Sequence, residues 1–465
     1  MASRSTEELI SLSLSEAAEL VRDKKISPVE LTRACLERIE AANPELNAFI
    51  TVTAESALQQ ARAAEDEIQG GHWRGPLHGI PISLKDLIDT AGVRTTAASA
   101  LYRDRVPEED AEVVRRLRAA GAIVLGKTNL HEFAYGGSGL ISHFGPARNP
   151  WDPERITGGS SSGSAAAVAA GLCFASIGSD TAGSVRLPAA YCGIVGIKPS
   201  YGLVPLRGVI PLSWSYDHVG PLARSVRDAA IVLRAVAGYD PLDITSRKFL
   251  AEDYAAALDR MPEPMTIGIA SDFFFSDLQR DIEARVKEAV HLLLQFGDLR
   301  EVRVPVDRDR TVASAETFAY HAEHVARSPE LYDPETLRRI RTGAEVTATA
   351  YIQKRQELDS LRRRAPELFK DADVIVTPTV PIAPPAISEL VAEPTRLRPS
   401  ELLMLRNTRP FNVLGLPAIS VPCGFTSDGL PVGLQIAGPP GSESAVLRLA
   451  YFYEQTAPWR LQHPR

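Results

Sequence analysis

The sequence predicts an α/β fold, a single large domain whose central mixed, largely parallel, twisted β-sheet is flanked by helices. Two observations lead there. Short apolar runs of strand length alternate along the chain with longer runs of helical period. Several helical runs stop at a glycine and lead straight into an apolar strand, as helices do when they return a chain to a sheet. No internal repeat and no linker interrupts the 465 residues, so one domain over 1–465 is expected.

The elements follow in order. "SPVELTRACLERIEAANP" opens with a capping box: Ser27 at the cap, Pro28 at the first helical position, Glu30 three residues after the cap. Leu31, Cys35 and Ile39 then recur at helical spacing, and Pro44 is expected to end the run. Ile80 to Leu84 forms a short apolar strand. "DAEVVRRLRAAGAIVLGKTN" gives a helix stopped by Gly121, then a buried strand from Ala122 to Leu125. "GSAAAVAAG" suits a tightly packed helix stopped by Gly171, and "LCFASI" a buried strand after it. Met265 to Ala270 is a strand, followed by an amphipathic helix in "DIEARVKEAVHLLLQFG". The charged, helical stretch from about 300 to 364 suggests a cap or lid within about 300–400. "DADVIVTPT" is another buried strand, and "CGFTSDGLPVGLQIAG" a hairpin turning at Asp428-Gly429.

Composition narrows the function classes. Hydrophobic residues at 45% and charged residues at 23% are those of a globular protein. A net charge of -7 gives no basic surface, so no nucleic-acid partner is expected. The apolar runs are too short for a membrane span, and the N-terminus lacks the apolar core of a secretory signal. The four cysteines show no CxxC spacing, which fits buried free thiols and a cytoplasmic location. His321 and His324 share a helical spacing, but a packed pair is the better reading than a metal site.

Chemistry concentrates where "TGGSSSGS", Thr157 to Ser164, runs directly into the small-residue helix. That helix carries the chain away by roughly 13 Å, and the next strand brings it back by roughly 20 Å. The serine loop therefore meets the loop "SDTAGSVR", which holds Ser184, at one edge of the sheet, where ligands bind in α/β folds. Lys85, at the end of "GIPISLK", points to the same edge. A desolvated lysine there sheds its proton and becomes a base for a hydroxyl; taken alone, it would rather reach water or pair with Asp86.

"GGSSSGSAAAVAAG" and "SDTAGSVRLPAAYCGIVGIKPS" resemble the amidase-signature family of serine hydrolases. The likeness is close over about 77–202 and weaker at "SPVELTRACLERI", "GKTNLHEF" and "RNTRPFNVLGLPAISVPCG"; about 240–400 carries little of it. It implies the amidase-signature fold and a Ser-Ser-Lys triad without cofactor or metal. Ser184 would be the nucleophile. Ser160, after a cis peptide from Gly159, would bridge it to Lys85 as base. The backbone N–H groups of Thr181, Ala182, Gly183 and Ser184 would form the oxyanion hole. Many members have glycine where this chain has Ala182, and alanine keeps the donor unless the position needs φ > 0. Asp180 and Arg186 would pair beneath the loop as structural support.

The resemblance also frames the substrate. "HEFAYGGSGLISHFGPARNP" would line the pocket, with Tyr135, Leu140, Ile141 and Phe144 apolar and Gly136, Gly137 and Ser138 offering backbone contacts. No pocket cation stands out, Arg207 and Arg148 being the candidates. The expectation is a free-standing amidase of small-molecule apolar or aryl amides, monomeric or homodimeric, with carbamate (urethane) or ester side activity. The alternative within the family is the glutamine-hydrolysing subunit of a transfer-RNA amidotransferase. Two readings lie outside it. "GSSSG" fits the nucleophile elbow of an α/β-hydrolase with Ser161 as nucleophile, but "ARNPWDPERIT" before it does not read as the required strand. A phosphate loop at a helix N-terminus lacks its GK[ST].

Overall fold

A computed structural model describes residues 4–457 apart from 251 and 262, together with 462 and 464. Its strands, in chain order, begin with β1 (Phe49–Val52), β2 (Pro81–Lys85), β3 (Ile123–Thr128), β4 (Arg148–Asn149), β5 (Asp152–Ile156) and β6 (Ala175–Ser179). There follow β7 (Val195–Lys198), β8 (Val219–Ala223), β9 (Met265–Ile269), β10 (Gly297–Glu301), β11 (Val374–Pro378), β12 (Ala418–Phe425) and β13 (Pro431–Ala437). Eleven of them hydrogen-bond into one sheet, in the order β1-β3-β2-β6-β8-β7-β12-β13-β11-β9-β10. The sheet is mixed. Parallel pairing joins β3, β2 and β6 in one half and β11, β9 and β10 in the other; antiparallel strands link the halves. β2, β6, β7, β8 and β11 are buried along their whole length, which is why they read as apolar runs rather than alternations.

Helix caps explain the N-terminal layer. Ser5, Ser13 and Ser27 each close a capping box with the glutamate three residues on. The helix from Pro28 runs to Leu46, so Pro44 does not end it. Proline in the last turn forfeits one donor only, and the turn still closes through the Asn47 N–H to the Asn43 carbonyl at 2.8 Å. The hairpin at Asp428-Gly429 forms between β12 and β13.

"GSAAAVAAG" forms the helix Ser162–Ala169, every residue of which is buried. A Cβ at Gly163 would lie 2.2 Å from the Ala48 carbonyl oxygen, so only small residues let this helix sit so deep. β4 and β5 form a separate two-stranded ribbon ahead of the serine loop, so "DPERI" is a strand after all, though outside the main sheet.

The charged stretch folds into helices Thr311–Arg327, Pro334–Arg341 and Ala348–Arg364. They are pinned onto the loops at the sheet edge: Arg339 donates to the Tyr135 carbonyl at 2.6 Å, and Arg362 to the Ser215 carbonyl at 2.6 Å. All four cysteines are free and buried. Among the described residues no helix is long and apolar enough to cross a membrane.

Candidate active site

β2, β3 and β6 run parallel, so Lys85, Thr128 and Ser179 end at one edge of the sheet. There the loop before the small-residue helix and the loop after β6 meet. The Ser161 N–H donates to the Ser184 carbonyl at 3.3 Å, tying the two loops together. The Gly159–Ser160 peptide is cis.

Lys85 is fully buried and donates to two hydroxyls, Ser160 Oγ at 2.7 Å and Ser179 Oγ at 2.9 Å. Among the described residues no carboxylate pairs with it. Burial pushes its pKa down to about 7, although the charges of Asp180 and Asp217 pull the other way. Asp86, its nearest carboxylate in sequence, pairs instead with Lys127 at 3.6 Å. The Ser184 hydroxyl makes no hydrogen bond among the described residues and borders a cavity. The relay is therefore closed between Lys85 and Ser160 and open between Ser160 and Ser184, as apo catalytic hydrogen bonds often are.

The turn from Thr181 to Ser184 is held from both sides. Thr181 Oγ1 donates to Asp217 at 2.5 Å, and Thr408 Oγ1 to the Ala182 carbonyl at 2.6 Å. Beneath it Asp180 and Arg186 form a fully buried bidentate pair at 2.9 and 3.0 Å, joined by Asn412. Burial would raise the Asp180 pKa, but the Arg186 guanidinium holds it well below the carboxylate range. Asp180 also caps the N–H of Val185 at 3.1 Å, while the N–H groups of 181–184 have no acceptor among the described residues. Four donors are thus left unpaired in a turn of which Thr181, Ala182 and Ser184 line the cavity. Ala182 does not sit at positive φ, so alanine costs the turn nothing. Gly183 does, at +139°, and a Cβ there would lie 2.1 Å from Thr408 Oγ1. Gly183→Ala is expected to distort this turn and cut kcat by about 10²–10³, the cost of a lost oxyanion donor; an unchanged kcat would show that these N–H groups are idle.

The expected pocket residues divide. Tyr135 and Gly136 line the cavity with Thr181, Ala182 and Ser184. Gly137, Ser138, Leu140 and Ile141 do not. The Gly137 carbonyl accepts from Gly159 N–H at 2.7 Å, and Ser138 Oγ donates to Glu401 at 2.8 Å. Leu140 and Ile141 pack against the apolar cluster around Leu187, Tyr191 and Met404. Neither expected cation reaches the cavity: Arg207 is paired with Asp240 and Glu112, Arg148 with Glu154. The cations that do line it are Arg310, Arg398 and Arg409, none of which the sequence singled out.

The rival readings fit less well. Ser161 Oγ is fully buried and donates to the Ser179 carbonyl at 3.2 Å, and Ser161 is not among the residues that line the cavity at Ser184. His321 packs edge-on against Phe133 and bonds the Tyr332 hydroxyl, and His324 bonds that of Tyr102. No group of three or more metal-ligating side chains occurs among the described residues.

A family model described as Amidase matches residues 30–447. The chain belongs to the amidase family. This amidase is 40% identical over 485 aligned residues to the A subunit of the glutamyl-tRNA(Gln) amidotransferase of Geobacter sp. (strain M21), spanning 98% of this chain and 99% of that one. Among solved structures it resembles that of the same subunit from Thermotoga maritima, at 33% identity and TM-score 0.77 over 99% of this chain and 97% of that one. It also resembles a chain of an "unexpected vestigial protein complex" tied to the origins of an s-triazine catabolic enzyme, at 32% identity and TM-score 0.88 over 96% and 98%.

These relatives correct the expectation of an amidase working as a monomer or homodimer without nucleic acid. The amidotransferase relatives are by name subunits of an enzyme of glutamyl-tRNA(Gln). The physical error lay in reading one chain's net charge of -7 as the charge of an assembly, in which partner chains bring their own surface.

Proposed function

We propose that this amidase is the amide-cleaving subunit of a larger assembly, hydrolysing a primary carboxamide to acid and ammonia in the manner of the glutamine-hydrolysing subunit of a transfer-RNA amidotransferase. The end-to-end match to the amidotransferase relatives carries this reading.

The geometry supplies the chemistry. Ser184 Oγ attacks the carbonyl carbon while its proton passes to Ser160 and the Ser160 proton to neutral Lys85. The N–H groups of 181–184 hold the oxyanion. As the C–N bond breaks, Lys85 returns the proton through Ser160 to the leaving nitrogen, freeing ammonia and leaving an ester on Ser184. Water attacks that ester with the same relay as base, and acid leaves. Tyr135 and Gly136 border the acyl group, and the Asp180–Arg186 pair holds the turn in place. Esters and carbamates of matching acyl groups enter the same acyl-enzyme route as side substrates.

The test measures ammonia release from glutamine and from short primary amides, for the purified chain and for whatever assembly forms when it is co-expressed with its neighbouring genes. Amide hydrolysis that rises on assembly is the expected result. Full activity of the lone chain, with no stable partner recovered, would return it to the free-standing amidases.

A further inference from the structure

The cavity at Ser184 is small, about 60 Å³, and has cationic walls. It adjoins a second space of about 430 Å³ with which it shares Arg310, Leu405 and Arg409. Arg308 and Arg406 border that outer space, where Asp277 and Asp307 are the acidic side chains. The inner cavity has no Asp or Glu in its lining. In a chain of net charge -7 this is a positive funnel ending at a nucleophile.

The three inner arginines are not equally engaged. Arg409 gives its guanidinium to the backbone carbonyls of Asp307 and Asp309. Arg398 leans on Glu401 at 3.3 Å, a carboxylate already held by Arg339 at 2.7 Å. The Arg310 guanidinium makes no hydrogen bond or ion pair among the described residues. Burial and the neighbouring Arg398 and Arg409 bring its pKa down to about 10, so it stays charged at neutral pH. A half-buried cation beside two others is costly until an anion completes it, and a carboxylate does so with two parallel N–H···O bonds.

We propose that the substrate is the monoamide of a short dicarboxylic acid, with the scissile carboxamide at one end, a carboxylate held by Arg310 at the other, and no ammonium. This rests on Ser184 being the nucleophile. An α-ammonium such as that of glutamine would meet three cations and no carboxylate in the inner cavity, and is disfavoured by the same walls that attract the anion.

The test compares ammonia release from succinamate, glutaramate, glutamine and butanamide. The better of the two monoamides is expected to exceed both glutamine and butanamide in kcat/KM by about tenfold or more. Arg310→Ala should raise its KM about tenfold with a smaller change in kcat, and Arg310→Lys should recover part of the loss. Equal or better cleavage of glutamine or butanamide overturns the proposal. Should wild-type protein, alone and in the assembly it forms with co-expressed partners, cleave none of the four, it is the assignment of Ser184 that fails. Calorimetric titration of glutaramate into Ser184→Ala protein then still reads the anion site. Binding that Arg310→Ala weakens about tenfold supports it; no binding, or binding indifferent to Arg310, overturns it.

Discussion

Ser184→Ala is expected to abolish amide hydrolysis, lowering kcat by roughly a millionfold as loss of a serine nucleophile does elsewhere. The fold should not notice. The Ser184 hydroxyl has no hydrogen-bond partner among the described residues, so its removal strands no buried group, and the loop is held by Asp217 and Thr408 through other atoms. The melting temperature of the variant should therefore match the wild type within a few degrees. A fluorophosphonate or sulfonyl fluoride should add its mass to Ser184 and not to Ser161, whose hydroxyl is spent on the Ser179 carbonyl. Turnover of the variant within tenfold of the wild type, or a label on Ser161, would sink the assignment.

What the sequence made legible follows from how local the signals are. The capping box at Ser27, the small-residue helix after Ser161 and the hairpin at Asp428-Gly429 are set by neighbours a few residues apart, and all three form. The serine loops and Lys85 were legible because the parallel β2 and β6 bring the ends of successive elements to one edge. Partner choice was not. Asp86 stands next to Lys85 in sequence, yet it lies in the turn just past the end of β2, where it meets Lys127 from β3. The antiparallel strands that join the two parallel halves were equally hidden, since a fully buried strand reads the same in either direction.

The pocket was the least legible part. Arg310 and Arg398 fall in the stretch that carries the weakest family likeness, each near charged residues that turn out exposed, such as Arg308 and Arg396, and Arg409 sits in a motif that gave no sign of facing the cavity. Only the packing of the 311–364 helices onto the sheet edge separates these three from the rest. The apolar residues near Tyr135 misled for the opposite reason. Leu140 and Ile141 are close to the site in sequence, but a positive-φ turn at Gly139 takes the chain away into the core.

Lys85→Ala is the second large effect expected, a loss of about 10²–10⁴ in kcat/KM from removal of a general base. Lys85→Met, which fills more of the buried space, should lose as much, so that a cavity cannot be blamed. Lys85→Arg should not rescue, because a guanidinium does not give up its proton. With a pKa of about 7 in the folded protein, the wild-type rate should rise with pH through about 7 and level off above it, since only the neutral amine accepts a proton. Asp217 complicates that limb, because burial raises its carboxyl to about 7 as well, and it bonds Thr181 in the oxyanion turn. Asp217→Asn separates the two. Removing that carboxylate takes away an anion that favours the ammonium form of Lys85, so a limb that belongs to Lys85 shifts to lower pH in the variant. A limb that disappears in Asp217→Asn belongs to the aspartate, and a fully active Lys85→Arg enzyme would reduce Lys85 to a donor that merely holds Ser160 and Ser179 in place.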